Sequence, residues 1–276
     1  MSTQPSLITR GIRRASQLSL RPFRTMGVAL GENDARIKAL RNIHAGRRGF
    51  IIGNGPSLTV ADLHRLKGEV TFASNKIYLA FDQTDWRPTY YSVCDKLVAK
   101  NNSKIIADLP LNKLLSDWVS EFFQPGDASI WLRELAVPSS GPNGRASHPF
   151  SENLLVGLYG GATIIYQQLQ TAFYMGITEA ILIGVDFSFQ LPEQRVATGV
   201  HGYEQALKSE GEVNHFHPDY RKPGEAWAVP NMEGQRVSFQ SALERYQAAG
   251  RKVINASRVT KLDVFPRGNF DEIVGR

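Results

Sequence analysis

Apolar residues recur along the chain with two spacings, one typical of buried strands and one typical of helices. The order of these segments predicts the fold. Short apolar runs typical of buried strands occupy residues 48–52, 70–74, 88–94, 129–135, 180–184 and 252–255. Apolar residues at helical spacing occupy residues 33–43, 58–66, 111–123, 162–175 and 237–249. Strands that alternate with helices in this way predict an α/β domain with one doubly wound, mostly parallel, Rossmann-like sheet.

Gly160 and Gly161 begin the clearest unit of this alternation. The helix predicted over residues 162–175 follows them, and Gly176 ends it as a left-handed C-cap residue does. The strand predicted over residues 180–184 comes next and is apolar throughout, as expected when both faces of a strand are covered.

Three segments fall outside the alternation. Residues 187–235 form a polar excursion that is too long for a simple connection, which predicts a functional, lid-like loop. Residues 137–147 are rich in Gly, Pro and Ser and are predicted to be a loop. Residues 1–47 are interpreted as a basic N-terminal arm, and residues 48–276 as one domain without internal repeats.

The positive charge of the chain is concentrated in this arm. Residues 1–48 contain ten Lys and Arg and two acidic residues, a net charge of 10 − 2 = +8. The whole chain carries +6, so the remainder carries 6 − 8 = −2. Because a nucleic-acid-binding domain needs basic side chains across a folded face, no nucleic-acid partner is expected. The arm is either a solvated extension or a segment that rests on an anionic membrane surface.

The amino-acid composition restricts the class of protein and its expected location. Hydrophobic residues make up 42% of the chain and charged residues 21%, as in ordinary globular proteins. No apolar run approaches the roughly 18–20 residues that span a bilayer, and the N-terminus lacks the apolar core of a secretory signal. The expected location is therefore the cytoplasm. If residues 1–48 contact a membrane, the protein would lie peripherally at its inner face. Cys94 is the single cysteine, which excludes an internal disulfide and a cysteine-cluster metal site.

Polar residues follow directly after four of the predicted strands. They are Gly53–Ser57, Asn75, Asp95 and Gly184–Ser188. Ligands of open α/β sheets bind beyond the carboxyl ends of the strands, so these residues are predicted to face one ligand cleft.

The turn Gly53-Asn54-Gly55-Pro56-Ser57 is the strongest candidate among them. Its two glycines let the backbone turn sharply and approach a ligand without Cβ clashes. Ser57 lies beside the start of the next predicted helix, where free N–H groups and the helix dipole favour a phosphate. The turn matches neither the phosphate loop of nucleoside triphosphatases nor the dinucleotide fingerprint. A purely structural turn is the alternative interpretation.

The other strand-end residues each have two interpretations. Asn75 and Asp95 either face the ligand or cap a turn or helix. The Asp186 carboxylate either holds a ribose hydroxyl or a metal ion, or it accepts backbone hydrogen bonds within the protein.

Two histidines in the predicted loop, His215 and His217, are candidates for acid–base chemistry. They stand in the segment Asn214–Asp219, which reads NHFHPD. Imidazole groups can act as a general base near neutral pH or bind a metal ion. A pair at this spacing without a further fixed ligand is weak evidence for a metal, and a structural role is the third interpretation.

A series of motifs makes a family resemblance visible. In chain order they are FIIGNGPSL, SNKIYLAFD, PTYYSVCD, GGATIIYQQLQTAFYMGITEAILIGVDFSF, NHFHPDYRKPGEAW and KLDVFPR. Over about residues 48–268 the chain resembles the bacterial branch of the 6-hydroxymethylpterin pyrophosphokinase-like (MptE-like) domain family. More remotely, it resembles the bacterial family-42 sialyltransferases.

This resemblance implies a sialyltransferase-like fold and assigns roles to the candidate residues. Asn54 and Ser57 would hold the phosphate and sugar of a nucleotide, Asp95 would face the donor, and Gly161 would admit the nucleotide closely. His217, with His215 as second choice, would deprotonate an acceptor hydroxyl. The nucleotide-binding or phosphate-binding set is then Gly53, Asn54, Gly55, Pro56, Ser57, Asn75, Gly160, Gly161, Thr163, Asp186 and Ser188.

The chain also departs from the sialyltransferase pattern. The relatives place tyrosines after the motif G-[IV]-D-F to hold the leaving phosphate, whereas this chain has Ser188, Phe189 and Gln190. Asp95 stands where they carry an amide, and a carboxylate there would repel an anionic donor unless a metal or proton intervened.

Three functions are therefore predicted, in descending order. The first is a glycosyltransferase of surface-glycan assembly that uses a nucleotide-sugar and a glycan acceptor, with no metal or other cofactor. The second is a pyrophosphokinase that moves diphosphate from ATP to a small alcohol such as 6-hydroxymethylpterin, with Mg²⁺ on Asp95 and Asp186. The third is a non-catalytic nucleotide-binding module. The sequence leaves the oligomeric state open, and a homo-oligomer is one alternative.

Overall fold

The computed structural model describes residues 19–124, 129–137 and 148–275. Its strands are β1 (Arg48–Ile52), β2 (Val70–Ser74), β3 (Tyr90–Val93), β4 (Lys113–Ser116), β5 (Ile130–Leu132), β6 (Glu134–Leu135), β7 (Leu158–Tyr159), β8 (Glu179–Ile183), β9 (Arg195–Ala197), β10 (Gln205–Lys208), β11 (Ala226–Trp227) and β12 (Lys252–Asn255). Its helices are α1 (residues 19–25), α2 (Glu32–Ala39), α3 (Val60–His64), α4 (Lys96–Asp108), α5 (Ile164–Tyr174), α6 (Met232–Ala248) and α7 (Phe270–Val274).

A seven-stranded sheet forms the centre of the protein. Its order is β12-β8-β1-β2-β3-β4-β5, and every neighbouring pair is parallel. Helices or 3-10 helices connect most of the strands, so the predicted α/β class with a doubly wound parallel sheet is confirmed.

Each face of the sheet has its own hydrophobic core, because successive strand residues point to opposite faces. Ile51 and Phe72 pack on one side with residues of α2, α5 and α6. Phe50, Ile52 and Tyr91 pack on the other side with residues of α3, α4 and α7. Full burial of one such side chain contributes about 1.5–3 kcal/mol, so the two cores supply most of the force that closes the fold.

The predicted helix over residues 111–123 is wrong. Residues Lys113–Ser116 form β4, which pairs with β3 and β5, and a 3-10 helix follows over Asp117–Phe122. Leu114 and Leu115 face the two different cores, which a strand permits and a helix with one buried side does not. Local spacing favoured the helix, but pairing between two neighbouring strands overrides it.

Helix α4 was not predicted from the sequence. Its residues are largely polar, and its burial is limited to positions such as Leu97, Ala99 and Ile106. The Asp95 side chain begins the helix by accepting hydrogen bonds from the N–H groups of Leu97 and Val98.

The predicted lid-like segment, residues 187–235, contains regular structure of its own. Strands β9, β10 and β11 form a three-stranded antiparallel sheet within it, and α6 begins before it ends. The predicted loop over residues 137–147 lies almost wholly outside the described residues, as do residues 1–18.

Residues 24–46 pack against the sheet domain. Ile37 and Leu40 of this segment join the core around α5. The buried carboxylate of Asp34 accepts hydrogen bonds from Arg24 (2.8 Å) and from Arg133, which lies 99 residues later in the sequence. Burial works against the charged form, but the two guanidinium groups outweigh it and lower the pKa of Asp34. The division into an arm and a domain at residue 47 stays a prediction.

Within the described part of the chain, none of the helices combines the length and the apolar character that crossing a bilayer demands.

We expect Asp34→Asn to lower the free energy of unfolding by roughly 3 kcal/mol, because it leaves two arginines beside a neutral group. Urea unfolding at pH 7 measures this. Asp263→Asn is the control, since the Asp263 carboxylate pairs with Arg236 at the surface and its loss should change little. Equal effects of the two substitutions would contradict a stabilising role for the buried pair.

Candidate functional site

A cleft opens where the winding of the sheet reverses. From β1 the chain proceeds outward through β2, β3, β4 and β5, and it later returns to place β8 and β12 on the other side of β1. Ligands of open α/β sheets bind at such switch points. The cleft there is open to solvent and has about 640 Å³ of empty volume, part of which is bulk solvent. It is lined by Gly53, Asn54, Gly55, Ser74, Asn75, Thr163, Ile164, Ile165, Gly184, Val185, Asp186, Phe187, Ser188, Phe189, Asn214, His215, Tyr220, Gln235 and Phe239.

The structure brings together most, but not all, of the predicted site residues. Those that line the cleft are Gly53, Asn54, Gly55, Asn75, Thr163, Asp186, Ser188 and His215. Those that are not among its lining residues are Pro56, Ser57, Asp95, Gly160, Gly161 and His217.

The glycines of the first turn are required for a reason other than the predicted one. Gly53 and Gly55 donate backbone hydrogen bonds of 2.8 Å to the carbonyls of Ile183 and Gly184. A Cβ atom on Gly53 would lie 2.3 Å from the Gly184 oxygen, and one on Gly55 would lie 2.6 Å from Cγ of Asp186. The missing side chains make room for the end of β8, and the predicted approach of a ligand to these glycines stays a prediction.

Ser57 and the start of α3 are already engaged by carboxylates of the protein. The Ser57 N–H donates to Asp186 Oδ2 at 2.8 Å, and its hydroxyl donates to Oδ1. Thr59 and Asp62 form a capping box at the N-terminus of α3. Burial raises the pKa of Asp186, and the hydrogen bonds from Ser57 oppose the rise. Both Ser57 donors are thus engaged within the protein, and the phosphate-binding role of Ser57 stays a prediction.

Glycines 160 and 161 serve packing in the same way. A Cβ atom on Gly160 would lie 2.5 Å from a Glu134 carboxylate oxygen, and one on Gly161 would lie 2.1 Å from the Tyr166 ring. Gly161 has a φ of +59°, a backbone conformation that favours glycine. Thr163 follows, and its side chain caps α5 by accepting a hydrogen bond from the Ile165 N–H.

Asn54 and Asn75 present amide groups whose hydrogen-bonding capacity is not used up. Asn54 is buried, and its Nδ2 donates to the Ser74 carbonyl at 3.3 Å. Among the described residues, neither the Asn54 Oδ1 nor the buried Asn75 Oδ1 has a hydrogen-bond partner. An unpaired buried oxygen is uncommon in a native protein and calls for a donor from water or a ligand. Both atoms belong to residues that line the cleft.

Of the four non-glycine residues with positive φ in the described chain, all but Asn42 lie in or beside the same cleft. Asn75 (φ 53°), Ala162 (φ 60°) and Phe187 (φ 52°) adopt left-handed conformations without being glycine. Asn75 and Phe187 line the cleft, and Ala162 precedes the lining residue Thr163. Such conformations cost on the order of 1–3 kcal/mol each and cluster at functional sites.

The Asp95 and Asp186 carboxylates do not fit a shared magnesium site. Asp95 caps α4 and is not among the lining residues, while both oxygens of Asp186 accept hydrogen bonds from Ser57. Burial raises the pKa of Asp95, although its backbone hydrogen bonds oppose the rise. Within residues 19–124, 129–137 and 148–275, no group of three His, Cys, Asp or Glu side chains is placed to hold a metal ion.

His215 lies in the cleft and is oriented by Glu212. Its Nδ1 is 2.9 Å from Glu212 Oε1, which also accepts from the Asn214 N–H at 2.6 Å. The imidazole stacks on the Tyr220 ring, with centroids 3.8 Å apart and planes 4° apart. Burial lowers the pKa of His215 to about 4, and the hydrogen bond to Glu212 only partly opposes this.

The contact between His215 and Glu212 is therefore a hydrogen bond from a neutral imidazole, not an ion pair at pH 7. The network assigns the proton to Nδ1, because Glu212 can only accept it. Nε2 then carries a lone pair, and it makes no hydrogen bond to any described residue. This is the tautomer and orientation that a general base requires.

His217 has a different position. It precedes the 3-10 helix Pro218–Tyr220, and its Nδ1 accepts a hydrogen bond of 3.1 Å from the Asp219 N–H. Sequence reasoning placed His217 before His215, but the structure puts His215 in the cleft and uses His217 as a cap.

The segment that carries His215 is fastened to the sheet at three points. The Phe216 N–H donates to the Asn54 carbonyl at 2.9 Å. Asn214 exchanges two side-chain hydrogen bonds with the backbone of Gln190. The buried Lys76, next to Asn75, binds the Tyr220 carbonyl at 2.8 Å and the Glu225 carboxylate at 2.7 Å.

Glu212, which orients His215, was not predicted from the sequence, and neither was the nearby Arg221; neither residue is among those that line the cleft. The Arg221 guanidinium lies 3.7 Å from the centre of the Trp227 ring, and burial lowers its pKa. In the described part of the chain it forms no ion pair or hydrogen bond, although acidic groups including Glu212 surround it at longer range. The signal was its place in the motif NHFHPDYRKPGEAW, one residue after Tyr220.

Comparison with known proteins gives one similar fold. The sialyltransferase CstII of Campylobacter jejuni, solved in complex with the substrate analogue cytidine-5'-monophosphate, is matched over 81% of this chain and 85% of that chain. The sequence identity is 14% and the TM-score 0.38, so the likeness assigns no activity. Neither a protein-family model nor a curated protein matches the chain. The resemblance to the MptE-like domain family stays a prediction from motifs.

Acidification should destabilise the protein through His215. Its pKa is about 4 in the folded state against about 6.5 unfolded, so below pH 6.5 the unfolded chain binds a proton that the folded state refuses. The contribution of the neutral His215 to the free energy of unfolding is fully present above pH 6.5 and is lost as the pH falls towards 4. We expect His215→Gln to reduce the loss between pH 7 and pH 4.5 by on the order of 2 kcal/mol.

Urea unfolding of both proteins at the two pH values measures this difference. His201→Gln is the control, because the His201 side chain is exposed and should leave the pH dependence unchanged. An identical pH dependence in wild type and His215→Gln would show that His215 is not held neutral.

Proposed function

We propose that the protein is a nucleotide-dependent glycosyltransferase that uses His215 as its general base. The observation that carries the proposal is the neutral His215 imidazole, oriented by Glu212 in the cleft at the switch point of the sheet. The motif resemblance described above favours the same class. The proposal extends to surface-glycan assembly, where the acceptor would be a sugar hydroxyl.

The reaction would proceed by direct displacement at the anomeric carbon of the donor sugar. Nε2 of His215 takes the proton of the acceptor hydroxyl while the acceptor oxygen forms its bond to that carbon. The bond from the carbon to the nucleotide phosphate breaks, and its electron pair leaves on the phosphate oxygen. Glu212 stabilises the imidazolium that forms, and a positioned base of this kind is typically worth 10²–10⁴-fold in rate.

The donor would bind along the floor of the cleft. The unpaired Oδ1 atoms of Asn54 and Asn75 would accept hydrogen bonds from hydroxyl or amino groups of the nucleotide. Phe189 supplies aromatic surface in the same cleft for a base or sugar ring.

No described contact favours the magnesium-dependent pyrophosphokinase, because Asp95 and Asp186 are committed to separate backbone and hydroxyl donors. The experiments below distinguish the pyrophosphokinase and the non-catalytic nucleotide-binding module from the glycosyltransferase.

Nucleotide binding can be tested by thermal shift. CMP, CDP, UDP, GDP and ATP are compared with and without Mg²⁺, and a ligand at 100 times its Kd should stabilise the protein by about 2.7 kcal/mol. We expect a metal-independent response to a pyrimidine or purine nucleotide that Asn54→Ala abolishes. A response to ATP that requires Mg²⁺ would favour the pyrophosphokinase, and no response to any nucleotide would overturn both hypotheses.

The base is tested by substituting each histidine in turn. With the sugar donor of the nucleotide so identified, His215→Ala should reduce kcat by about 10²–10⁴-fold and leave nucleotide binding nearly unchanged. His217→Ala is the matched control and should retain most of the activity, because it loses only a cap. The reverse result would return the role to His217. Loss of binding in His215→Ala with a normal fold would contradict a role as base.

A further inference from the structure

Four exposed apolar side chains lie close together in the sequence near the start of the described chain. Phe23, Met26, Val28 and Leu30 are exposed by 48%, 70%, 41% and 38%. They occur within eight residues, in α1 and directly after it. Scattered exposed apolar residues need no explanation, but a continuous cluster marks an interaction surface. We call residues 21–30 the N-terminal platform.

The platform is held against the domain. Arg24 lies within it but points inward, where it is buried and binds Asp34. The Leu30 N–H donates to the same carboxylate at 3.1 Å, and the Val28 N–H donates to the Phe23 carbonyl at 3.0 Å. Its exposed apolar side chains are therefore presented from a fixed backbone, so docking would require little ordering of the chain.

Positive charge surrounds these apolar side chains in the sequence. Residues 1–48 carry 10 − 2 = +8, against −2 for the remainder of the chain. In the described part of this region, Arg21, Lys38, Arg41 and Arg47 are exposed, and Glu32 is the exposed acid. A second copy of the chain would bring the same positive charge and would be repelled, whereas an anionic lipid surface would be attracted.

We propose that the N-terminal platform docks the protein on membranes that contain anionic phospholipid. Phe23 and Met26 insert at the boundary between headgroups and acyl chains, and Arg21 and its neighbours bind the lipid phosphates. Stable peripheral binding generally needs two such signals together, and this region has both. The proposal is independent of the activity proposed for the cleft.

Vesicle flotation of the full-length protein tests the proposal. The protein is incubated with phosphatidylcholine vesicles or with vesicles that also contain phosphatidylglycerol, at low and high salt. We expect binding only to the anionic vesicles, weakened by salt. The double variant Phe23→Ser, Met26→Ser should bind at least tenfold more weakly, and Arg21→Gln about fivefold more weakly.

The matched control is the double variant Ile105→Ser, Val259→Ser. It removes side chains exposed by 49% and 70% elsewhere on the surface and should bind like wild type. Thermal unfolding confirms that both double variants remain folded.

Three results would overturn the proposal. They are absence of vesicle binding, equal binding to neutral vesicles, and equal losses in the platform and control variants. Light scattering distinguishes the rival occupant, because a dimer that Phe23→Ser, Met26→Ser dissociates would assign the surface to self-association. Nucleotide binding is measured without vesicles, so the two proposals fail separately. A negative vesicle experiment leaves the proposed function unaffected, and a negative thermal-shift experiment leaves the membrane-docking proposal unaffected.

Discussion

The close contact between the ends of β1 and β8 is the constraint on which the site depends. Gly53 and Gly55 hydrogen-bond the end of β8 at distances that exclude any side chain, and Asp186 crosses to Ser57 to fasten the two turns together. The chain winds in opposite directions from these two strands, and the cleft opens at this switch point. The tight packing beneath the cleft thus sets its position, and the N–H groups of Gly53, Gly55 and Ser57 hydrogen-bond within the protein to form its floor.

The segment above this floor determines the chemistry of the cleft. Hydrogen bonds from Phe216 to Asn54 and from Lys76 to Tyr220 bring His215 over the strand ends. Burial beneath this segment lowers the pKa of His215, and Glu212 orients the neutral ring. A looser segment would expose the imidazole, raise its pKa towards the ordinary value and remove the preferred tautomer. The contacts that anchor the segment are therefore the ones that keep the imidazole neutral and fix its tautomer.

Local sequence patterns predicted secondary structure correctly where they were compatible with only one kind of element. The apolar runs at residues 48–52 and 180–184 predicted central strands, because such runs are stable only when both faces are buried. The pattern failed at residues 113–116, where spacing suited a helix but the edges of β3 and β5 left room for a strand. It also missed α4, whose apolar content is low and whose start depends on the cap from Asp95.

The sequence by itself determined the α/β class, the central strands and the position of polar residues at their carboxyl ends. These features follow from hydrophobic periodicity and turn chemistry, which act over a few neighbouring residues. Only the tertiary structure decided which polar groups are free. Ser57 and Asp186 lie 129 residues apart and satisfy each other, whereas Asn54 and Asn75 keep unpaired oxygens. It likewise separated His215 from His217, because burial, stacking and the hydrogen bond to Glu212 arise from folding of the whole segment, and two histidines in one short motif carry no such information.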